Sequence, residues 1–420
     1  MSLRNIHYGW WVLLLAFLAL LSAQGIRLSF GAFITPWEAD LHASRSILSF
    51  VALMSFIVYG VSQPIVGRIV DRFGVRIVLA GSIFIVGVGT LLTVFATSPW
   101  HLVVLYGLFS SVGFGGASGV AASVAVTNWF NEKRGFALGM ITAGTAAGQL
   151  FLVPFSLILI EAWGWKITVL VLGVGLTVLV FPLLALFLRT SPSEKGMKAY
   201  GSEPVTADRK EEENFVSRGG SHAVFLSRKF WFLLLPYFIC GFTTTGLMDT
   251  HLIPFAHDHG FSATVTSTAV SLLAGFNILG TILSGYIADR WSNKNYLTLL
   301  YALRAVSILI LMVTHDYVLL MVFAILFGLV DFATVAPTSL LATKYFKHYS
   351  VGMILGWLYL AHQMGSALGA YLPGLLFDWT GNYQIAFVTA VIILVFASFA
   401  SFLLPEPERY ERRPNQTETA

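Results

Sequence analysis

Along its 420 residues the chain repeats one pattern: a run of about 20 mostly apolar residues, then a short polar connection. Such a run can cross a bilayer as a helix, because a helix satisfies its own backbone groups where there is no water. Runs at 8–35, 46–66, 77–97, 101–126, 136–160, 167–188, 230–255, 264–286, 296–314, 318–341, 352–376 and 383–404 predict twelve spanning helices and an all-α integral membrane protein. They are called spans 1 to 12 below. The chain is 56% hydrophobic and 11% charged, against about 25% charged in a soluble domain. So few charges cannot cover a water-soluble globule of this size. The first run, Trp10 to Leu21, is preceded by one basic residue, Arg4, and followed by no clear small-residue cleavage pattern. It reads as a span and not as a signal peptide. The single Cys240 can form no internal disulfide and has no partner for a metal site.

The long polar stretch 190–228 includes DRKEEENFVSRGGS and reads as a flexible linker. It separates an N-terminal six-span bundle, 1–189, from a C-terminal one, 229–405, with a polar tail at 406–420. The halves are alike. GRIVDRFGVR at 67–76 returns as GYIADRWSNK at 285–294, and TNWFNEKRGFALG at 127–139 returns as TKYFKHYSVGMILG at 343–356. The two offsets, 218 and 216, are nearly the same, which is the mark of an internal duplication. Of the 25 Lys and Arg, only Arg45 and Lys166 fall in connections on the side away from the termini, and only Arg27 and Arg304 inside spans. That asymmetry places both termini in the cytoplasm. It also makes the net charge of +4 a topology signal, with no nucleic-acid partner implied.

The 67–76 segment carries Gly67, Asp71, Arg72, Gly74 and Arg76. It resembles the G-x-x-x-D-[RK]-x-G-[RK]-[RK] loop of the major facilitator superfamily, with Val75 at one basic position. Gly67 is expected to let two helices approach closely, Gly74 to permit the turn, and Asp71 to pair with a cytoplasmic Arg or a helix N-terminus. The resemblance implies a conformational latch, with Asp289 and Arg290 in its copy. Two further stretches, YGWWVLLLAF…GIRLSFGAFITPWEADL and NWFNEKRGFALGM, are similar to bacterial members of the monocarboxylate and oxalate:formate transporter group. This implies a secondary transporter of a small organic anion, a plasma membrane location (the bacterial inner membrane) and alternating access.

Ionisable residues inside spans cost about 2.5–3.5 kcal/mol or more, so each is a candidate for function. Arg27 in span 1 falls within about one position of a substrate-binding lysine that the resemblance implies; the bland reading is an Arg snorkelling to the headgroups. His362 in span 11 falls where the oxalate:formate antiporter has a lysine. It could bind an anion, carry a proton, or simply bond across helices. Gln363, on a different face, is the weaker candidate. Both transporter groups have a span 8 arginine, and here that position is Thr281, with Asn277 in place of an aspartate one turn earlier. The pair could line a polar cavity or hold helices together. Asp249 and His251, at the outer end of span 7, could exchange protons and gate the outer mouth, or form an ordinary helix end. Arg304 and Asp331, in spans 9 and 10, read as a mutual buried pair. Gln24, Tyr106, Gln149, Phe332 and Tyr359 add possible lining. The Gly-rich GFGGASG stretch of span 4 reads as close helix packing, since no strand precedes it. His257, Asp258 and His259 read as solvated loop residues, not a metal site.

The residues together predict proton-coupled transport of a monocarboxylate-like anion. Arg27 would anchor the carboxylate, with His362, or Asp249 and His251, carrying the proton. The runner-up is an exporter of drugs or metabolites with an apolar cavity, which the missing span 8 arginine favours. No Walker motif suggests ATP, and no nucleophile, base and orienting group share one depth, so an enzyme is not expected. No cofactor or metal is expected. The partners are the bilayer, the anion and protons, and the protein is expected to act as a monomer.

Overall fold

A computed structural model describes residues 7–201, 222–288, 290–346, 349 and 351–405. Those residues are overwhelmingly helical and contain no strand beyond one isolated bridge, Phe130 to Tyr200. Ten helical stretches are long and apolar enough to cross a membrane. One of them, Phe136–Phe187, has 52 residues and turns at Gly164 (φ 79°), which makes it two spans. The apolar helix Val351–Thr380 completes the expected twelve.

Several spans are interrupted. Span 1 is Tyr8–Leu28 followed by Phe30–Leu41. Span 4 breaks after Gly116, at Ala117 (φ −90°, ψ 50°), and resumes as Gly119–Trp129. Span 10 breaks after Val330, passes through a short 3-10 turn at Phe332–Thr334, and resumes as Val335–Tyr345. Ala117 and Ala333 are 216 residues apart, so the duplication carries both breaks to the same place in each half. Span 7 contains a π-helical stretch, Phe242–Met248, before Asp249–Asp258. Its hydroxyls explain the widened turn: Thr243 and Thr244 donate back to the carbonyls of Ile239 (2.8 Å) and Cys240 (2.7 Å), competing with the helix ladder.

Within each half, glycines let backbones touch. A Cβ on Gly148 of span 5 would lie 2.5 Å from the Leu21 carbonyl of span 1. A Cβ on Gly241 of span 7 would lie 1.9 Å from the His362 carbonyl of span 11. Neither position admits a larger residue without parting the helices. Gly67 behaves otherwise. The sequence predicts close packing there, yet a Cβ would meet nothing within 4 Å.

The halves meet on the face away from the 67–76 loop, called the far face here. Buried Arg45, at the start of span 2, donates to Glu38 (Nε to Oε1, 2.6 Å), to Asp258 (2.5 Å) and to the Tyr383 hydroxyl (3.1 Å). Its guanidinium stacks 4.1 Å from the Phe377 ring centroid. Asp378 accepts from the backbone N–H groups of Arg45 (3.1 Å) and Ser46 (2.9 Å), capping span 2 from the other half. The sequence reading had Arg45 as a loop residue and Asp258 as solvated. Both are structural bonds between the halves. On the loop face the halves part, leaving a cavity of about 810 Å³ walled by spans 2, 4 and 11.

The linker is only partly the free segment expected. Tyr200 exchanges backbone hydrogen bonds with Trp129 (2.8 Å) and Asn131 (2.9 Å), and its ring packs among Trp10 and Phe130. A short helix, His222–Leu226, leads into span 7. Residues 202–221 and the tail 406–420 lie outside the described residues.

Candidate functional site

Helices buried on every side leave few side chains facing open space. From Ser22 to Ile34 in span 1, every residue except Arg27 is buried. From Ile239 to Ala256 in span 7, every residue except Asp249 is buried. These two line one enclosed space of about 20 Å³, with Phe30, Ser55, Tyr106 and Thr245 among its walls. Such a volume holds about one water. A second, smaller space on the far side of Asp249 is lined by Gln149. The far-face seal lies directly above. A Cβ on Gly31 would sit 2.9 Å from the Thr250 carbonyl, so spans 1 and 7 touch at backbone distance there.

Each charge is held by a glutamine of the N-terminal half. Arg27 Nε donates to Gln24 Oε1 at 2.8 Å, and the guanidinium lies 4.6 Å from the Tyr59 ring centroid and 5.4 Å from that of Phe56. Gln149 Nε2 donates to Asp249 Oδ1 at 3.1 Å, across the interface between halves. Tyr106 donates its hydroxyl to the Arg27 carbonyl at 3.0 Å. No ion pair joins Arg27 to Asp249 among the described residues. Tyr59 carries Arg27 on its ring and also lines the 810 Å³ cavity, so Arg27 is held by a residue of the open cavity's wall.

Gln24 does more than hold Arg27. Its Nε2 donates to the carbonyls of Ala117 (2.9 Å) and Phe114 (3.3 Å), which the span 4 break leaves without helical partners. The span 10 break is served by Arg304. Its Nη2 donates to the carbonyls of Val330 and Asp331, both at 2.5 Å, and its Nη1 to the Cys240 sulfur at 3.2 Å. The expected mutual pair is therefore wired differently. Arg304 and Asp331 are neighbours, but the guanidinium is spent on backbone. The Asp331 carboxylate instead accepts from Asn277 Nδ2 at 2.9 Å.

Asn277 is buried and also accepts from Thr281 at 3.2 Å. Asn277, braced by Thr281 of its own helix, ties span 8 to span 10, and neither residue lines the enclosed space or the open cavity. Phe332, half-buried in the short turn, lines neither as well. Tyr359 does line the large cavity, beside Trp357 and Gln363. His362 is buried against the Tyr237 ring (centroids 5.0 Å) and beside the Cys240 thiol, so Gln363, the weaker candidate in sequence, is the one that reaches the cavity.

Asp249 and His251 do not meet, since residues two apart on a helix point apart. His251 lies 2.7 Å from the Ala370 carbonyl through Nε2 and 3.0 Å from the Tyr383 hydroxyl through Nδ1. A carbonyl only accepts, so Nε2 carries a proton. The Tyr383 hydroxyl accepts from Arg45 and donates to the free Nδ1 of His251. Both ring nitrogens are thereby occupied within the far-face seal.

The expected latch is only loosely tied. Gly74 adopts φ 82°, the left-handed turn for which glycine is needed. Arg76 donates to the Ala185 carbonyl at 2.8 Å. Arg72 lies over Phe73 and Arg290 over Tyr286. Asp71 is exposed and makes no ion pair among the described residues. Asp289 lies outside them.

Comparison with known proteins agrees with this architecture. A sequence profile of the Major Facilitator Superfamily matches residues 13–313 and again 252–420. An uncharacterized MFS-type transporter, YcxA, of Bacillus subtilis is 27% identical over 94% of this chain and 95% of its own length. Monocarboxylate transporter 12 of Rattus norvegicus is 25% identical over 93% of this chain and 84% of its own length. Among solved structures, a bacterial homologue of the human lysosomal transporter Spinster, inward-facing and unoccupied, superposes with a TM-score of 0.74. It has 17% identity and covers 94% of this chain and 97% of its own. That likeness speaks to the fold alone.

Proposed function

The chain belongs to the major facilitator superfamily, and on that premise we propose that it is a proton-coupled transporter of small organic anions, with Arg27 as the anion anchor and Asp249 as the proton site. The observation that carries this reading is the pair itself. One cation and one carboxylate, from opposite halves, are the charged side chains that line a space shared by spans 1 and 7. A guanidinium suits a carboxylate because it can donate two parallel hydrogen bonds. A proton on Asp249 would balance the anion's charge and let the loaded site cross a low-dielectric interior. The halves would then rock about this space, alternately opening the loop-face cavity and the far face. The Lys and Arg distribution supports a multi-pass protein of the plasma membrane with the loop face in the cytoplasm, so the structure corresponds to an inward-facing state. The relatives' printed names, a monocarboxylate transporter among them, agree with the anion class.

The test is uptake of short radiolabelled monocarboxylates into proteoliposomes under an inward proton gradient. Uptake is expected to rise with the gradient and to fall about 10- to 150-fold in Arg27→Ala, the worth of one charge-assisted interaction of about 1.5–3 kcal/mol. Uptake indifferent to Arg27→Ala, or no carboxylate that shifts the thermal unfolding of the protein, would overturn the reading. Resistance to toxic apolar compounds that does not depend on Arg27 would favour export through the aromatic-walled cavity instead.

A further inference from the structure

Two opposite charges that face one space in a low-dielectric interior attract strongly, and a direct ion pair is their ordinary resolution. Arg27 and Asp249 do not take it. Each is turned to a neutral amide of the first half instead, Arg27 to Gln24 at 2.8 Å and Asp249 to Gln149 at 3.1 Å. Arg27 is further fixed on Tyr59 at 4.6 Å. The glutamines satisfy one edge of each charge, and both groups remain half-buried with the remainder turned to the enclosed space. A fixed cation and a fixed anion that line one space without pairing with each other form a receptor for a molecule with the reverse arrangement.

We infer that the preferred substrates are zwitterions, short amino carboxylic acids whose carboxylate meets Arg27 and whose ammonium meets Asp249. The inference rests on Arg27 as carboxylate anchor and assigns Asp249 a second partner. A plain monocarboxylate leaves Asp249 to be neutralised by a proton. An amino acid brings its own cation and needs none. The ammonium has hydroxyl partners at hand, because Thr245 and Thr250 line the same space. The other titratable or charged groups that act on Asp249 are Arg27 of span 1, His362 of span 11 and Asp331 of span 10. His362 packs on Tyr237 beside the Cys240 thiol and Asp331 is held by Asn277, and neither lines the space, so Arg27 and Asp249 remain the two charged groups that do.

The experiment uses two matched series on the purified full-length protein. Glycine, β-alanine, 4-aminobutyrate and 5-aminopentanoate carry the two charges at increasing separation. Acetate, propionate, butyrate and pentanoate carry the carboxylate alone. Affinity is read by thermal shift and by uptake into proteoliposomes at pH 7.5. One member of the amino series is expected to bind at least about tenfold more tightly than its plain counterpart, and its length reports the spacing between Arg27 and Asp249. In Asp249→Asn that ratio is expected to collapse toward one. If the variant does not fold, the unmodified protein gives the same answer through pH. Binding of the plain acids should strengthen as pH falls from 8 to 6, because they bind with a proton, while binding of the favoured amino acid stays flat. Plain acids that bind while no amino acid does, or equal pH slopes for both series, would overturn the inference and leave the anion reading standing. Failure of both series would overturn the two together.

Discussion

Spans 4 and 10 are copies of one helix and break at the same place, yet the two breaks are held by unlike groups. In the first half a neutral amide, Gln24 of span 1, donates to the freed carbonyls of Phe114 and Ala117. In the second half a cation, Arg304 of span 9, donates to those of Val330 and Asp331. At the offset of 216, Phe114 corresponds to Val330, Gln24 to Cys240 and Arg304 to Val88. The prop has moved from one helix to another. Cys240 is too short to reach two carbonyls, and it takes a hydrogen bond from Arg304 instead. The difference teaches what a buried charge means here. A broken helix inside a membrane needs donors, and whichever residue supplies them is withdrawn from other work. Because Gln24 does that job in the first half and also accepts from Arg27, the cation of span 1 is free to face the space it shares with Asp249. The cation of span 9 is not.

Arg304→Leu attacks the comparison most directly. It strips donors from two carbonyls and leaves the Asp331 carboxylate buried without its neighbouring cation. Breaking one side of a buried charged arrangement costs about 3–5 kcal/mol. Thermal unfolding in detergent should register the largest loss of any variant discussed, and Arg304→Lys should recover little, since an ammonium lacks the planar fork that reaches carbonyls and sulfur together. A mild effect would mean that the second break is held by something other than Arg304.

Gln24→Leu is the matching cut in the first half. Two buried carbonyls lose a neutral donor, as in Arg304→Leu, but no buried charge is left without its neighbour. The loss of stability should fall below that of Arg304→Leu, but anion affinity should fall as well, because Arg27 loses the acceptor that orients it. Gln24→Glu separates the two roles. A carboxylate can still accept from Arg27 but cannot donate to Phe114 and Ala117, so stability should drop further than the Arg27 geometry does.

How much of this was legible follows the same division. Twelve spans, the 6+6 layout and the repeat could be read directly, because hydropathy and a 216-residue offset are properties of the chain itself. Arg27 could be suspected from its depth. The breaks could not: GFGGASG in span 4 read as close packing, and nothing local in LVDFAT announces a break in span 10. The Arg304–Asp331 neighbourhood was legible, but its wiring to backbone was not, because a sequence shows charges and hides carbonyls. Arg45 was missed altogether. Its partners Asp258, Tyr383 and Asp378 lie more than 200 residues away, and only the folded halves bring them together. Gln149 gave no signal beyond being a polar residue in a span, since its partner Asp249 belongs to the other half.

The comparison can be sharpened by moving the prop back. Cys240→Gln places an amide where the duplication puts Gln24. Combined with Arg304→Leu and Asp331→Asn, it rebuilds the first half's arrangement in the second and removes the charge left without a partner. If position alone decides, the triple variant should regain about 1–3 kcal/mol over Arg304→Leu with Asp331→Asn, the worth of re-pairing buried carbonyls. No gain would show that the second break has diverged in geometry as well as in chemistry.

The smallest effect is expected at Thr281, and it tests the same division of labour. Its hydroxyl donates to Asn277 Oδ1 at 3.2 Å, and Asn277 in turn donates to Asp331. Resemblance places an anion-binding arginine at position 281, and a reader of sequence would look for substrate there. If the second half's polar residues are spent on holding spans 8 and 10 together, Thr281→Val removes one neutral hydrogen bond and costs about 0.5–1.5 kcal/mol of stability. Anion affinity, measured by thermal shift across a carboxylate series, should be unchanged within twofold. A large loss of affinity with little loss of stability would reverse the argument. It would place substrate against span 8, and the second half would then hold a site of its own as well as a prop.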